Sequence, residues 1–417
     1  MLKSHAKGLI AIMFIVAIVT LSGCTDTTDT VEQEEVKIGT LLSITGDLAP
    51  YGGPMENAAK LAIEEVNANG GLLGTQVIMI NEDSQTSEIA AVDAANKLVK
   101  INKVPAIIGA AGSSISLSFI DITTSNNVVQ ISSSNTAPDF TTYEDNDFYF
   151  RTCPSDALQG RAMALLAIEK NYTTASTLVL NNAYGVGFET VFVEEFENMG
   201  GEILDRVKYD PQATMFNSEV EKAAQGNPDV IILISYPETG SLILKAAYEK
   251  GIMDKTDWLL SEGLKDETFA EMVGKDVDGN YIIKGFKGTA PFPEGPAYED
   301  FKEAYVNKYN KEPTTFTPQT YDAAAVIALA IEKAGSSDGT AIRDNLRTVA
   351  NPPGEEVTDI GTGLKLIREG KDINYKGASG DITFDENGDI SADTANYAQW
   401  YVGTDGNVVW GESIDLE

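Results

Sequence analysis

The chain has 417 residues and almost no histidine: its one imidazole is His5, within seven residues of the amino terminus. It has two cysteines, Cys24 and Cys153, and twice as many acids as bases, 63 Asp+Glu against 30 Lys+Arg. Each shortage excludes something. Without histidine, Ser-His-Asp and Cys-His catalysis and His-ligated metal sites are out of reach. With Cys24 assigned another fate below, no disulfide can form within the mature chain, and Cys153 reads as an apolar filler. A formal net charge of −33 repels nucleic acid phosphates and anionic lipid headgroups, and no nucleic acid partner is expected. No phosphate-loop lysine motif is present, and no ATP hydrolysis is expected of the chain itself.

Long apolar runs are also scarce, and the one at the start is informative. Lys3, His5 and Lys7 make a basic beginning, Gly8–Thr20 is apolar, and Leu21-Ser22-Gly23-Cys24 follows. Thirteen apolar residues are too few to span a bilayer comfortably, and with a small-residue exit they read as an export signal over 1–23. Leu-Ser-Gly-Cys resembles the bacterial lipoprotein signal, which implies diacylglycerol on Cys24. Removing two lysines and no acids takes the net charge from −33 to −35. Residues 24–35, polar and acidic, read as a flexible tether.

The whole chain is 43% hydrophobic and 22% charged, which suits two globular domains from Val36 onward. Apolar strands alternate with amphipathic helices, which predicts parallel sheets wound by right-handed crossovers. Strands are expected at Val36–Leu42, Gln76–Asn81, Ala106–Gly109, Val128–Ile131, Thr177–Leu180, Glu202–Tyr209, Val230–Ser235, Trp258–Leu260 and Tyr281–Thr289. Helices are expected at Met55–Asn69, Glu88–Lys100, Ala157–Lys170, Gly187–Met199, Phe216–Gln225, Ser241–Lys250, Tyr298–Tyr309, Pro318–Ala334 and Ala341–Ala350, with a hairpin-like end over Tyr375–Trp410. The expected lobe 1 is 36–154 plus about 289–375. Lobe 2 with the hinge is 155–288 plus about 376–417.

Ligands of open α/β sheets sit at the carboxyl ends of the strands. The residues just beyond those ends are Tyr51, Ser113, Ser134, Thr136, Tyr184, Tyr236 and Glu262. They are hydroxyls, aromatics and one carboxylate, drawn from both lobes, which suits a zwitterion. Ser113, with neighbouring N–H groups at a helix start, suits a carboxylate; Ser114 beside it extends that cradle. Glu262, the Thr136 hydroxyl and a carbonyl near Ser134 suit an ammonium, and the tyrosines exclude water around the remainder. One carboxylate with no activated nucleophile argues against a hydrolase.

Six short motifs, Thr45-Gly46…Tyr51-Gly52, Ile108-Gly109…Ser113-Ser114, Asn135-Thr136-Ala137-Pro138, Ala183-Tyr184-Gly185, Tyr236-Pro237-Glu238…Gly240 and Ser261-Glu262-Gly263, follow one another in an order that resembles the branched-chain amino-acid-binding proteins of ABC importers. The resemblance runs from about Val36 to about Trp410. It implies an α/β, two-lobed type I periplasmic-binding-protein fold, each lobe a mostly parallel sheet flanked by helices, with a hinge of three crossings. It implies no enzyme activity and no cofactor, an extracytoplasmic place, a small amino-acid ligand, ABC permease subunits as partners, and membrane contact through the lipid on Cys24. It gives the ligand carboxylate to Ser113 and Thr136, the ammonium to the Ser134 carbonyl, Thr136 and Glu262, and the flanks to Tyr51, Tyr184 and Tyr236. Ala111 and Gly112 stand where members of that family often carry bulkier residues, which predicts a roomier pocket for a branched-chain or larger neutral side chain. A sensory ectodomain partner, or a binder of an aromatic acid or small amide, would use the same fold. Asp385–Asp389 resembles part of a calcium loop without its spacing and reads as a turn.

Overall fold

The computed structural model describes residues 35–416; the expected signal, Cys24 and nearly all of the tether lie outside them. The first pass of the chain lays down β1 (Val36–Leu42), α1 (Ala49–Ala68), β2 (Val77–Asp83), α2 (Glu88–Asn96), β3 (Ala106–Gly109), α3 (Ser113–Ser125), β4 (Val129–Ser132) and β5 (Tyr149–Arg151). These strands form one all-parallel sheet in the order β2-β1-β3-β4-β5. The second pass adds α4 (Asp156–Glu169), β6 (Thr174–Leu180), α5 (Ala183–Asn198), β7 (Glu202–Tyr209), α6 (Asn217–Ala223), β8 (Val230–Ile234), α7 (Pro237–Glu249), β9 (Asp257–Leu260), α8 (Phe269–Val273) and β10 (Lys287–Pro291).

The chain then returns to the first lobe as α9 (Tyr298–Tyr309), α10 (Thr317–Ala334), α11 (Gly339–Ala350), β11 (Glu355–Val357), α12 (Ile360–Arg368) and β12 (Ile373–Tyr375). It ends in the second lobe as the antiparallel pair β13 (Tyr397–Val402) and β14 (Val408–Ile414). The second sheet runs β14-β13-β10-β9-β8-β6-β7. The chain therefore crosses between lobes after β5, after β10 and before β13.

Both sheets repeat one strand plan: the second strand lies outside the first, and the third lies on its other side. The order reverses between β1 and β3 in one lobe and between β6 and β8 in the other. A crevice opens at such a reversal, outside the carboxyl ends of the strands. The central strands are buried on both faces, as parallel strands covered by helices must be; Val230–Ile234 is apolar and buried throughout. The first lobe's core centres on α10, whose Ala323–Ile331 are buried all round against α1, α11 and α12. The second core holds Leu178, Phe188, Ile232 and Leu259, and it extends across the cleft to Leu48, Tyr51, Met55 and Phe316 of the first lobe.

Several local expectations need correction. The predicted strand Tyr281–Thr289 is a turn followed by the shorter β10, because Gly285 takes φ 83 within the stretch. The hairpin-like end begins only at Tyr397. Between β12 and β13 the chain makes turns, and Asp385–Asp389 is one of them, closed by the Asp385 carboxylate accepting from the Asn387 and Asp389 amides. Among the described residues no metal-binding group of acids, cysteines or histidines is found, and no helix is long and apolar enough to cross a membrane.

Three helices start earlier than their apolar periodicity suggests. α1 begins at Ala49 rather than Met55, α5 at Ala183 rather than Gly187, and α7 at Pro237 rather than Ser241. Gly and Pro in these stretches read as loop, yet a first turn tolerates both, since its amides lack helical partners anyway. The consequence is functional: Tyr51 and Tyr184 are first-turn helical residues, and Tyr236 is the residue capping α7.

Candidate functional site

A small cavity lies between the lobes. Six of the seven residues singled out from sequence line it: Tyr51, Ser113, Ser134, Tyr184, Tyr236 and Glu262. Thr136 is not in the wall, but its buried hydroxyl has no hydrogen-bond partner, and its carbonyl accepts from the Asp156 amide at 2.7 Å. The sequence analysis missed Leu48, Met55 and Phe316, which with Ala111 make the apolar side of the same cavity. Phe316 reaches it from the third segment of lobe 1 with φ 66, an uncommon backbone for an aromatic residue. Only the tertiary fold brings it there.

On the lobe 1 wall, Ser113 is the first residue of α3, and no side chain caps that helix start. Its first-turn amides therefore favour an anion. Ser113 Oγ accepts from the Ala137 amide at 3.3 Å and Ser134 Oγ donates to the Ala111 carbonyl at 2.9 Å, which ties the β3 and β4 loops together. Ser114 is not part of this cradle: its Oγ accepts from the Ala183 amide of α5 at 2.9 Å, in the opposite lobe. Arg151, fully buried, holds the β4 loop in place. Its guanidinium donates to the Asn135 and Ala137 carbonyls at 3.1 and 2.9 Å and pairs bidentately with Asp389 at 2.5 and 2.7 Å.

On the lobe 2 wall, Tyr184 and Tyr236 stack with ring centroids 5.5 Å apart and planes 6° off parallel. Gly263 makes room for them: a Cβ there would lie 2.5 Å from the Ser235 carbonyl and 3.1 Å from the Tyr184 hydroxyl. Glu262, 2% exposed, is oriented by Gln159, whose Nε2 donates to Glu262 Oε2 at 2.8 Å and to the Thr289 carbonyl at 3.1 Å. Burial pushes the Glu262 carboxyl up to about 7. Tyr51 reaches over from lobe 1 and donates to the Glu262 carbonyl at 3.3 Å. Burial also raises the phenols of Tyr51, Tyr184 and Tyr236, so all three stay neutral.

A second carboxylate escaped the sequence reading. Asp156, 0% exposed, opens α4 just past the first crossing, and neither of its oxygens has a hydrogen-bond partner. Burial, then the neighbouring Glu262 charge, raises its carboxyl well above the ordinary value. The Thr136 hydroxyl, Gln159 Oε1 and the Tyr184 hydroxyl are likewise buried without partners. Unmet polar atoms of Asp156, Gln159 and Tyr184 thus lie near Glu262, with the Thr136 hydroxyl next to Asp156, all of them acceptors or hydroxyls. Their chemistry fits a donor-rich cation. A helix start for an anion stands on one wall and a carboxylate cluster for a cation on the other, with apolar surface between.

The lobes are in their closed arrangement. Besides the Tyr51 and Ser114 bonds, Asp47 of lobe 1 accepts from the Glu238 amide at 2.7 Å and the Thr239 hydroxyl at 3.0 Å, both in the first turn of α7. Thr315 Oγ1 of lobe 1 donates to the Lys265 carbonyl of lobe 2 at 3.2 Å.

Comparison with known proteins agrees with this architecture. The model of the periplasmic binding protein family matches residues 35–389. A Leu/Ile/Val-binding protein homolog of Brucella melitensis is 27% identical over 380 residues, covering 90% of this chain and 93% of that one. The substrate-binding protein BasB of a chemotactic signal transduction system in Halobacterium salinarum is 25% identical over 373 residues, 84% of this chain and 83% of the relative. The crystal structure of the leucine-binding protein LivK from Thermotoga maritima superposes with a TM-score of 0.77 at 27% identity, covering 91% of this chain and 99% of that one. Two lobes of like strand order, three crossings and a matched length of family sequence leave one assignment: the chain belongs to the periplasmic binding proteins of type I, among relatives of the branched-chain amino-acid-binding group.

Proposed function

We propose that the protein is an extracytoplasmic solute receptor of an ABC importer, lipid-anchored through Cys24, that captures a neutral amino acid between its lobes. The observation that carries this is the division of charge in the interlobe cavity. First-turn amides of α3 face a ligand carboxylate, and Glu262 with Asp156 faces its ammonium. Leu48, Met55, Ala111 and Phe316 then receive the side chain, which suits a branched-chain or larger neutral residue. The named ligands of the curated relatives, leucine, isoleucine and valine, fit that description. A ligand touching both walls favours the closed form because only closure satisfies both of its charges. The closed receptor is then what the permease recognises.

The test is a thermal-shift screen of the twenty amino acids with benzoate as a carboxylate that lacks the ammonium. Ligand at a hundredfold its Kd stabilises the native state by about 2.7 kcal/mol. Leucine, isoleucine or a larger neutral amino acid is expected to raise Tm, and benzoate is not. A benzoate shift that survives Glu262→Gln, with no shift from any amino acid, overturns the reading in favour of an aromatic acid.

A second reading is favoured by the chemotactic relative: the same capture reported to a sensory partner instead of a permease. Uptake of the labelled ligand by cells with and without the gene separates the two. Lost chemotaxis with unchanged uptake would select sensing.

A further inference from the structure

Asp156 and Glu262 both belong to lobe 2, and the closing of lobe 1 buries them. The Thr136 carbonyl takes the Asp156 amide, and the Tyr51 hydroxyl lies on the Glu262 carbonyl. Two like charges are thereby enclosed at 0% and 2% exposure. The Thr136 hydroxyl is the nearest polar help for the Asp156 carboxylate, which has no cation of its own, and a buried carboxylate without a charged partner is strongly unfavourable. The surrounding elements supply no free cation. Gln159 of α4, Tyr184 of α5, Tyr51 of α1, Tyr236 before α7 and Tyr397 of β13 are neutral, and Cys153 stays a thiol because burial raises it. The Arg151 guanidinium, which draws on Asp156, is held by Asp389. The Lys265 ammonium lies 3.9 Å from the Trp410 ring centre, and Asp266 and Asp47 add negative charge nearby.

We propose that Asp156 and Glu262 form an electrostatic gate: enclosing the two charges together beneath lobe 1 is unfavourable, so the ligand-free lobes stay apart until a ligand ammonium, or protons in its place, neutralises them. The proposal rests on the ammonium-binding role given to these acids above. It adds a consequence which that role does not contain: acid closes the protein without ligand. The sign follows from linkage. In the closed form burial holds the Glu262 carboxyl at about 7, above that of an exposed carboxyl, and the part of this burial that lobe 1 supplies makes the closed form gain as pH falls through 7. The closed-to-open ratio is therefore expected to rise between pH 8 and pH 5. Asp156 shifts in the same direction, and so does Asp47, which burial raises to about 6.

Small-angle scattering on the full-length, ligand-stripped protein reads the effect as a radius of gyration. The wild type is expected to contract between pH 8 and pH 5. The isosteric double variant Asp156→Asn/Glu262→Gln is expected to be contracted already at pH 8 and to change little on acidification. A wild-type radius that is the same at both pH values overturns the gate, and that arm needs no variant. A double variant that is extended at pH 8 and contracts like the wild type also overturns it, because Asp47 or another group is then responsible. Acid contraction with no amino acid raising Tm would remove the ligand assignment while leaving the gate. A leucine shift in Tm without acid contraction would do the reverse.

Discussion

Glu262 and Tyr51 touch each other, yet they are expected to matter unequally. Truncating Glu262 strips a buried ammonium of its charged partner, a loss of about 2–5 kcal/mol for desolvated pairs. Tyr51 contributes one 3.3 Å hydrogen bond to a carbonyl and some apolar cover, and a neutral bond is worth about 1 kcal/mol. Isothermal titration with the best amino acid from the screen should therefore show Glu262→Ala losing at least thirtyfold and Tyr51→Phe less than tenfold. Equal losses would count against the ammonium role. Phe316 lines the apolar side of the cavity. Phe316→Ala should shift preference from leucine toward phenylalanine, read as the ratio of the two dissociation constants, and an unchanged ratio would place the side chain elsewhere. At this scale the sequence was informative about hydroxyls and aromatics beyond strand ends and silent about Asp156. A Ser-Asp pair before an apolar run reads as a helix cap and nothing more. Its second meaning depends on Glu262, over a hundred residues away.

Elements carry the contacts that make closure specific. α7 has no capping side chain of its own, since Tyr236 occupies the cap position. Asp47, 191 residues earlier and in the other lobe, accepts from its second and third residues as an N-cap carboxylate would. That contact joins the two lobes across the cleft. Asp47→Ala should weaken capture by about 1 kcal/mol, roughly fivefold, without altering which amino acid is preferred. Asp47→Asn should be close to wild type, because its amide oxygen accepts from the Glu238 amide in the same way. Titration of both variants checks this, and an Asn variant as weak as Ala would mean that charge rather than hydrogen bonding is at work. Strands were legible because buried parallel strands are short apolar runs with abrupt ends: Ala106–Gly109 and Glu202–Tyr209 match the structure residue for residue. Helix starts were not. Apolar periodicity begins only after the first turn, whose Gly and Pro residues read as loop, and the cleft tyrosines sit in that turn of α1 and α5 and at the cap of α7. The short elements β5, β11, β12 and α12 escaped because three-residue strands and one isolated amphipathic turn or two give too little pattern to read.

The two lobes and their crossings depend on a few buried charges whose job is connection. Arg151 joins β5, the loop at 135–137 and the turn at Asp389, and so ties the first and third segments of lobe 1 together. Asp322 of α10 fastens the end of the third segment to its long helix, accepting from the Ala378 and Ser379 amides and from the Tyr375 hydroxyl at 2.8, 2.7 and 2.9 Å. Removing one member of a buried pair costs about 3–5 kcal/mol. Arg151→Met should lower the urea midpoint accordingly, and a midpoint within error of wild type would show that the pair is dispensable. The outermost prediction concerns Cys24. Cys24→Ala should release the protein from the membrane fraction into the soluble fraction, because two acyl chains anchor stably where a signal segment alone does not. Retention of the variant in membranes would refute lipidation as the anchor. The alternation of strands and helices made the architecture legible at this scale, whereas the route of the third segment, with β10 closing the second sheet before the return, needed the pairings themselves.

Cys153 is buried at 0% exposure, donates to the Asn135 carbonyl at 3.4 Å, and is the one cysteine among the described residues. A thiolate is what reacts with a maleimide, and burial keeps this sulfur protonated and out of reach. A cysteine introduced at Met215, 78% exposed, would thus be the sole reachable thiol of the described lobes. An environment-sensitive dye attached there would turn each opening and closing into a change of colour or brightness, making the molecule a ready-made optical meter for whatever solute it holds.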